Sequence, residues 1–136
     1  MPAAREEQIA VVEALIGLRF PAEHRRLLLE QDGWSTTYGD THIQFLGVEQ
    51  IRSQCQVVLH DGPRGLVDFV PFAGDGSRGL IGYDRRVDPS PVVMLDSTAT
   101  DWSSAMLQGV TFGDFIDRLQ SSKALDFSTG YADPTA

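Results

Sequence analysis

The chain has 136 residues, 42% hydrophobic and 22% charged, which is typical of a globular protein and excludes a disordered chain. Its formal net charge of −8 argues against nucleic acid and anionic membranes as partners and would speed the encounter with a basic protein. No run approaches the roughly 20 apolar residues that span a bilayer, and the N-terminus does not resemble a signal peptide, so a single cytoplasmic domain over residues 1–136 is expected.

Two helices are predicted at the N-terminal end. Apolar residues recur at helical spacing between Ile9 and Ile16, which predicts a helix that Gly17 ends. A second helix is predicted to open at Pro21 and to stop at Gly33, since proline suits a first turn and glycine accepts the left-handed conformation. Both helices are too short to be stable alone, so they should pack as a pair on an apolar surface.

The middle of the chain has the composition of strands separated by turns. Residues 48–59 have helical spacing, and residues 73–78 have the glycine and aspartate content of a hairpin loop. The strands predicted around them lie at residues 43–45, 67–72, 79–84 and 91–96. The strands after residue 60 should form an antiparallel meander.

The C-terminal part is predicted to be a helix followed by a tail. Residues 110–119 carry apolar side chains on one helical face, with Thr111 as the N-cap and Asp114 three residues later. Residues 126–136 are polar and are expected to form a flexible tail. The predicted fold is therefore α+β, with a mostly antiparallel sheet of about four to six strands on which an N-terminal helix pair and a C-terminal helix pack.

The residues that could carry catalysis or bind a metal do not form a recognised pattern. His24, His42 and His60 have no metal-ligand spacing, and the single cysteine, Cys55, lies on an apolar helical stripe. There is no G-x-S-x-G sequence to present a nucleophile. We therefore predict no enzyme activity, no metal and no cofactor.

The glycine-rich segment 74–79 has some likeness to a phosphate-binding loop, and the aspartates of this part of the chain could suggest a calcium site. It lacks the lysine and hydroxyl residue that end a phosphate-binding loop, and a strand, not a helix, is predicted after it. The aspartates from this segment onward do not have the spacing of a calcium-binding EF-hand loop; they are Asp75, Asp84, Asp88, Asp96 and Asp101. A hairpin turn explains this segment.

Several motifs, taken in order, resemble the SMI1/KNR4 (SUKH) family from about residue 18 to residue 119. They are Phe20-Pro21, Asp32-Gly33-Trp34, the stretch 69–76 leading to Gly79 and Tyr83-Asp84, then Pro91-Val92 and Phe112-Gly113-Asp114-Phe115-Ile116. The chain departs from the family at Leu80, where a polar residue, commonly aspartate, usually follows the glycine.

The resemblance implies an α+β fold without catalytic activity. It also implies an immunity-type protein that binds and neutralises a cognate toxin, for which a basic nuclease is one candidate. The alternative is a regulatory scaffold that recruits other proteins. A third class is a small-molecule or nucleotide-binding enzyme, which would need a nucleophile, base or metal arrangement that the sequence does not show. A monomer or weak dimer is expected.

Aromatic and acidic residues in predicted connections are the candidate partner-binding residues. Aromatic rings in loops bring large contact area, and neighbouring aspartates can pair with arginine or lysine of a basic partner. The alternative is that Trp34 and Trp102 cap the core. The candidates are Trp34, Tyr38, Asp40, Asp75, Tyr83, Asp84, Asp101 and Trp102.

Overall fold

A computed structural model describes residues 3–132 and residue 134 of the chain. Its α-helices are α1 (Glu6–Ile16), α2 (Ala22–Glu30), α3 (Val48–Asp61) and α4 (Phe112–Ser122). Its strands are β1 (Trp34–Tyr38), β2 (Thr41–Phe45), β3 (Phe69–Gly74), β4 (Gly79–Asp84), β5 (Val92–Asp96) and β6 (Met106–Gly109). Short 3-10 helices lie at Arg64–Leu66 and Trp102–Ser104.

The six strands form one antiparallel sheet in which each strand pairs with its neighbours in sequence. This arrangement confirms the α+β class and the meander, with the N-terminal helices and α4 packed on the sheet. Close approach of β3 and β4 depends on Gly82, because a Cβ atom there would lie 2.3 Å from the Val70 carbonyl oxygen. A side chain at Gly82 would therefore separate the two strands.

The helix boundaries follow the signals in the sequence. Gly17 ends α1 in the left-handed conformation, with φ of 67°. The Thr111 hydroxyl accepts a hydrogen bond from the Asp114 amide at 3.1 Å and so caps α4. Pro21 precedes α2 as its N-cap, and α2 ends at Glu30, three residues before Gly33.

Two strands differ from the sequence prediction. The segment Trp34–Tyr38, expected as a connection, is the edge strand β1, and β6 lies where no element was predicted. In β1 Ser35 and Thr37 are exposed, while the alternate residues Trp34, Thr36 and Tyr38 are partly buried. The alternation is polar on one side and only half-buried on the other, so hydrophobicity alone gives a weak strand signal.

The main hydrophobic core lies between the helices and one face of the sheet. Successive residues of a strand point to opposite faces, and this core takes Val70 and Phe72 of β3 and Val92 and Met94 of β5. The alternate positions of the same strands point to the other face. Phe69 of β3 and Val93 and Leu95 of β5 point there. Together with Leu66, Trp102 and Ala105 they form a second, smaller core cluster.

The C-terminal segment pairs with β6. The Leu107 amide donates to the Thr129 carbonyl and the Tyr131 amide donates to the Ala105 carbonyl, both at 2.9 Å. The prediction of a flexible tail over residues 126–136 did not include this pairing. The chain turns before it at the buried Asp126, whose carboxylate accepts hydrogen bonds from the amides of Ser128 and Thr129. Residues 133, 135 and 136 of that prediction lie outside the described residues.

None of the helices formed by the described residues is both long enough and apolar enough to cross a membrane.

Candidate protein-binding surface

The eight residues predicted to bind a partner fall in four parts of the fold. Trp34, Tyr38 and Asp40 belong to β1 and the turn after it, and Asp75 lies in the loop between β3 and β4. The remaining four lie on β4 or in the connection between β5 and β6: Tyr83, Asp84, Asp101 and Trp102. The structure therefore does not bring all eight together.

Turns from three hairpins meet at one end of the sheet, which we call the hairpin end. In an antiparallel meander the loops after β1, β3 and β5 must emerge on the same side. The Ser97 amide donates to the Arg78 carbonyl at 2.7 Å, which joins the last two of these loops. A Cβ atom on Gly76 would lie 3.7 Å from the His42 ring, which places the β3–β4 loop beside β2.

A cleft of about 280 Å³ opens at the hairpin end. We call it the hairpin-end cleft, and its lining combines charged, polar and apolar residues: Asp75, Ser77, Arg78, Gly79, Met94, Leu95, Asp96, Ser104, Met106 and Phe127. Of the predicted candidates only Asp75 belongs to it.

The carboxylates of the cleft are held by short-range hydrogen bonds. Asp75 accepts from the amides of Ser77 at 2.9 Å and Gly79 at 3.0 Å. Asp96 accepts from the Thr98 hydroxyl at 2.7 Å and its amide at 2.9 Å, and these bonds, with Arg78 at 3.3 Å, lower the pKa of Asp96. Asp96 is consequently ionised at neutral pH and fixed in orientation before any partner arrives.

The apolar part of the cleft ends in an exposed aromatic ring. Phe127 is 68% exposed, and it lines the cleft together with Met94 and the partly buried Met106. Aromatic and methionine side chains are enriched at protein interfaces because they bury large area and adapt to a partner's shape. Sequence reasoning missed Phe127, although a phenylalanine within an otherwise polar tail was a signal that the segment packs or binds.

Tyr83 is fully buried, and so is its neighbour His24. The Tyr83 hydroxyl and His24 Nδ1 are 2.6 Å apart, and the imidazole stacks on Phe112 with ring centroids 4.4 Å apart. Within the described residues His24 Nε2 has no hydrogen-bond partner, and burial lowers the pKa of His24 to about 3. His24 is therefore neutral, and this pair belongs to the core, out of a partner's reach in this conformation.

Asp84 and Trp102 are brought together by Arg86. The guanidinium of Arg86 donates to both Asp84 carboxylate oxygens, at 2.9 and 3.0 Å, and lies 4.2 Å from the centre of the Trp102 ring. The Tyr131 hydroxyl also donates to Asp84. Asp84 is fully buried and Trp102 only 5% exposed, so these side chains hold the second core cluster and the C-terminal segment in place.

This arrangement corresponds to the alternative in which Trp102 caps the core. Trp34 shares that role in part, since its ring stacks on Phe45 with centroids 4.3 Å apart while remaining partly exposed. Asp40 and Asp101 are exposed, and Asp101 accepts hydrogen bonds from the amide and hydroxyl of Ser103, which lower its pKa. Both aspartates remain accessible to a partner, outside the cleft.

Across residues 3–132 and residue 134, no three histidine, cysteine, aspartate or glutamate side chains are grouped so that they could hold a metal ion. Burial raises the pKa of the Cys55 thiol to about 11, which keeps it protonated and a poor nucleophile at neutral pH.

One comparison with known proteins is informative. The model of the SMI1 / KNR4 family (SUKH-1) matches residues 3–118, which is most of the chain. No curated protein matches the chain. The matched region contains the whole sheet and the carboxylates of the hairpin-end cleft, whereas Phe127 lies beyond it.

Proposed function

The chain belongs to the SMI1/KNR4 (SUKH-1) family, and we propose from this that it is a cytoplasmic, non-enzymatic immunity-type protein that binds and neutralises a partner toxin. Membership of this family is consistent with an immunity-type function. The net charge of −8 favours a toxin with a basic surface, such as a nuclease, because opposite charges accelerate encounter and orient the two proteins.

The hairpin-end cleft is the observation that best supports this proposal. Its two carboxylates, Asp75 and Asp96, lie beside the apolar side chains of Met106 and Phe127, and Arg78, whose exposed guanidinium is paired with Asp96 at 3.3 Å, would have to give way to a partner's cation. A lysine or arginine side chain has the matching shape, with an apolar stem and a charged head. We propose that such a side chain from the toxin enters the cleft, with its stem on the apolar part and its cation at the carboxylates.

The proposal is tested by co-expressing the chain with a toxic domain, the first choice being any such domain encoded next to its gene. Cell survival is scored first, and then co-purification of the two proteins. Survival with a stable complex would support immunity by direct binding. Binding without loss of the partner's toxic activity would favour the regulatory scaffold, and no binding by a folded chain would contradict both.

Reversing the charge of Asp96 should weaken toxin binding by at least about tenfold, since a contact at the centre of an interface contributes about 1.4 kcal/mol or more. The variant Asp96→Lys places a cation where the toxin's cation would lie. Phe127→Ala should weaken binding in the same direction by removing apolar contact area. Isothermal titration calorimetry against the purified toxin measures both effects.

Asp101→Lys is the matched comparison for Asp96→Lys. Both aspartates are exposed and accept hydrogen bonds from the amide and hydroxyl of the residue two positions later. Both substitutions therefore remove the same kind of local hydrogen-bonded turn. Unchanged affinity for Asp96→Lys and Phe127→Ala would remove the cleft from consideration. A loss confined to Asp101→Lys would move the interface to the surface around Asp101 that the sequence predicted.

A further inference from the structure

Helix α1 is apolar on both of its faces. Ile9, Val12 and Ile16 point into the main core and are buried, while Val11 and Leu15, on the outer face, are 59% and 62% exposed. The other exposed positions in the middle of that face are alanines, Ala10 and Ala14. Helices that are apolar all round are normally covered on all sides, so the outer face of α1 lacks a partner in the single chain.

The exposed apolar area continues onto α3. Leu15 lines a cavity of about 110 Å³ between α1, α3 and β3, and Leu59 and Cys55 line the same cavity from α3. Leu59 is itself exposed. Val11, Leu15 and Leu59 therefore form one apolar strip beside a small recess, which we call the α1 strip.

Exposed charged side chains of opposite sign lie at the two ends of α1. Glu7 is exposed at the N-terminal end, and Arg19 is exposed just beyond Gly17 at the C-terminal end. Within α1, between these two residues, the ionisable side chain is Glu13, which is half-buried and bonded to Arg25 at 2.6 Å and to the Phe20 amide at 2.7 Å. The α1 part of the strip therefore has no exposed charged side chain between Glu7 and Arg19, while Arg52, His60 and Arg85 line the recess beside Leu59.

We infer that the occupant of the α1 strip is a second copy of this chain, packed with its α1 antiparallel to the first. A twofold axis near the middle of α1 would place Val11 and Leu15 of the two copies against each other. The same axis would bring Glu7 of each copy to Arg19 of the other, since α1 is only about 16 Å long at 1.5 Å per residue. The surface is thus self-complementary in both apolar contact and charge, as a twofold interface requires.

This contact would leave the hairpin-end cleft open. The C-terminal end of α1 lies at the other end of the sheet, where the Ile16 carbonyl accepts a hydrogen bond from Arg85 at 2.6 Å. Arg85 directly follows β4, and the cleft lies where β4 begins. The inference is therefore independent of the proposed toxin binding, and either can fail without the other.

The dimer should be weak. A strip of a few side chains falls at or below the low end of specific interfaces, about 1,200 Å², so we expect a dissociation constant on the order of 100 µM. Added salt screens the repulsion between two copies of net charge −8 but also the Glu7–Arg19 attraction, so all variants are compared at one ionic strength.

Sedimentation equilibrium from about 10 µM to about 1 mM tests the inference on the full chain. We expect a reversible monomer–dimer equilibrium, with Leu15→Glu monomeric at every concentration and equal to the wild type in thermal stability because Leu15 is exposed. Val110→Glu changes an exposed apolar residue outside the α1 strip and should still dimerise. Glu7→Arg should weaken the dimer several-fold, and Glu7→Arg with Arg19→Glu should restore it.

A wild type that stays monomeric up to about 1 mM would overturn the inference, as would a dimer that Leu15→Glu leaves intact. Failure of the Glu7/Arg19 double variant to recover the affinity lost by Glu7→Arg would overturn the antiparallel arrangement. If the wild type is monomeric and Leu15→Glu abolishes binding of the toxin, the strip belongs to that partner and not to a second copy.

Discussion

Replacing Trp102 with alanine should lower the free energy of unfolding by about 3–5 kcal/mol, the range typical of a large aromatic residue removed from a core. The ring is almost fully buried, contacts Phe69 edge-on with centroids 6.0 Å apart, and covers the guanidinium of Arg86. Without it the second core cluster loses its largest member. The buried ion pair between Arg86 and Asp84 would also become more accessible to water.

Urea denaturation of Trp102→Ala and of the wild type measures this difference. Phe127→Ala is the control, since it removes an aromatic ring that is mostly exposed and should change the stability by less than about 0.5 kcal/mol. A Trp102→Ala variant as stable as the wild type would show that the ring does not hold the second cluster. If the expected loss is found, reduced partner binding by this variant cannot be assigned to a lost contact.

Acidification should destabilise the protein between about pH 6.5 and pH 4.5 because of His24. Burial lowers the pKa of His24 from 6.5 to about 3, so in this range the unfolded chain binds a proton that the folded chain does not. The stabilisation by neutral His24 is complete above about pH 6.5 and decreases by about 1.4 kcal/mol for each pH unit below it. Over two units the expected loss is about 2–3 kcal/mol.

Urea denaturation at several pH values measures the slope, and His24→Gln should flatten it while lowering the stability at pH 7. His42→Gln replaces an exposed histidine and should keep the wild-type slope. The aspartates whose pKa values are lowered in the fold, such as Asp96 and Asp126, lose their contribution only at lower pH, so they do not obscure this window. A wild-type stability that is constant from pH 6.5 to 4.5 would contradict the burial of a neutral His24.

The parts of the fold that the sequence predicted are those with strong local signals. Helix α4 has a capping threonine and a sharply apolar face, α1 ends at a glycine, and β3 and β4 flank a loop rich in glycine and aspartate. These signals act over a few residues, so they are visible without knowledge of the rest of the chain. β1, β6 and the pairing of residues 126–131 lack such signals, because each becomes regular only through hydrogen bonds to a neighbour.

The candidate site was less predictable than the fold. Asp75 was identified from its loop, but Asp96 and Phe127 are far apart in sequence and meet only because the chain doubles back along β6. The role of a tryptophan was ambiguous for a related reason. A Trp between polar residues has the same local pattern whether its ring faces a partner or, like Trp102, fills a cluster on the second face of the sheet.

The short pairing between β2 and β3 affects the order in which the parts of the sheet open. In the described part of the chain, two residue pairs connect these strands, Gln44 with Gly74 and Phe45 with Ala73, and the Leu46 amide adds one bond to the Phe72 carbonyl at 2.8 Å. All of α3 lies between the two strands in the chain. The other strand pairs are hairpins or close neighbours, which form quickly because little chain entropy is lost in closing them. We expect the β1–β2 hairpin to behave as a separate cooperative unit that opens before the β3–β6 meander, so its amides should exchange with deuterium first under native conditions.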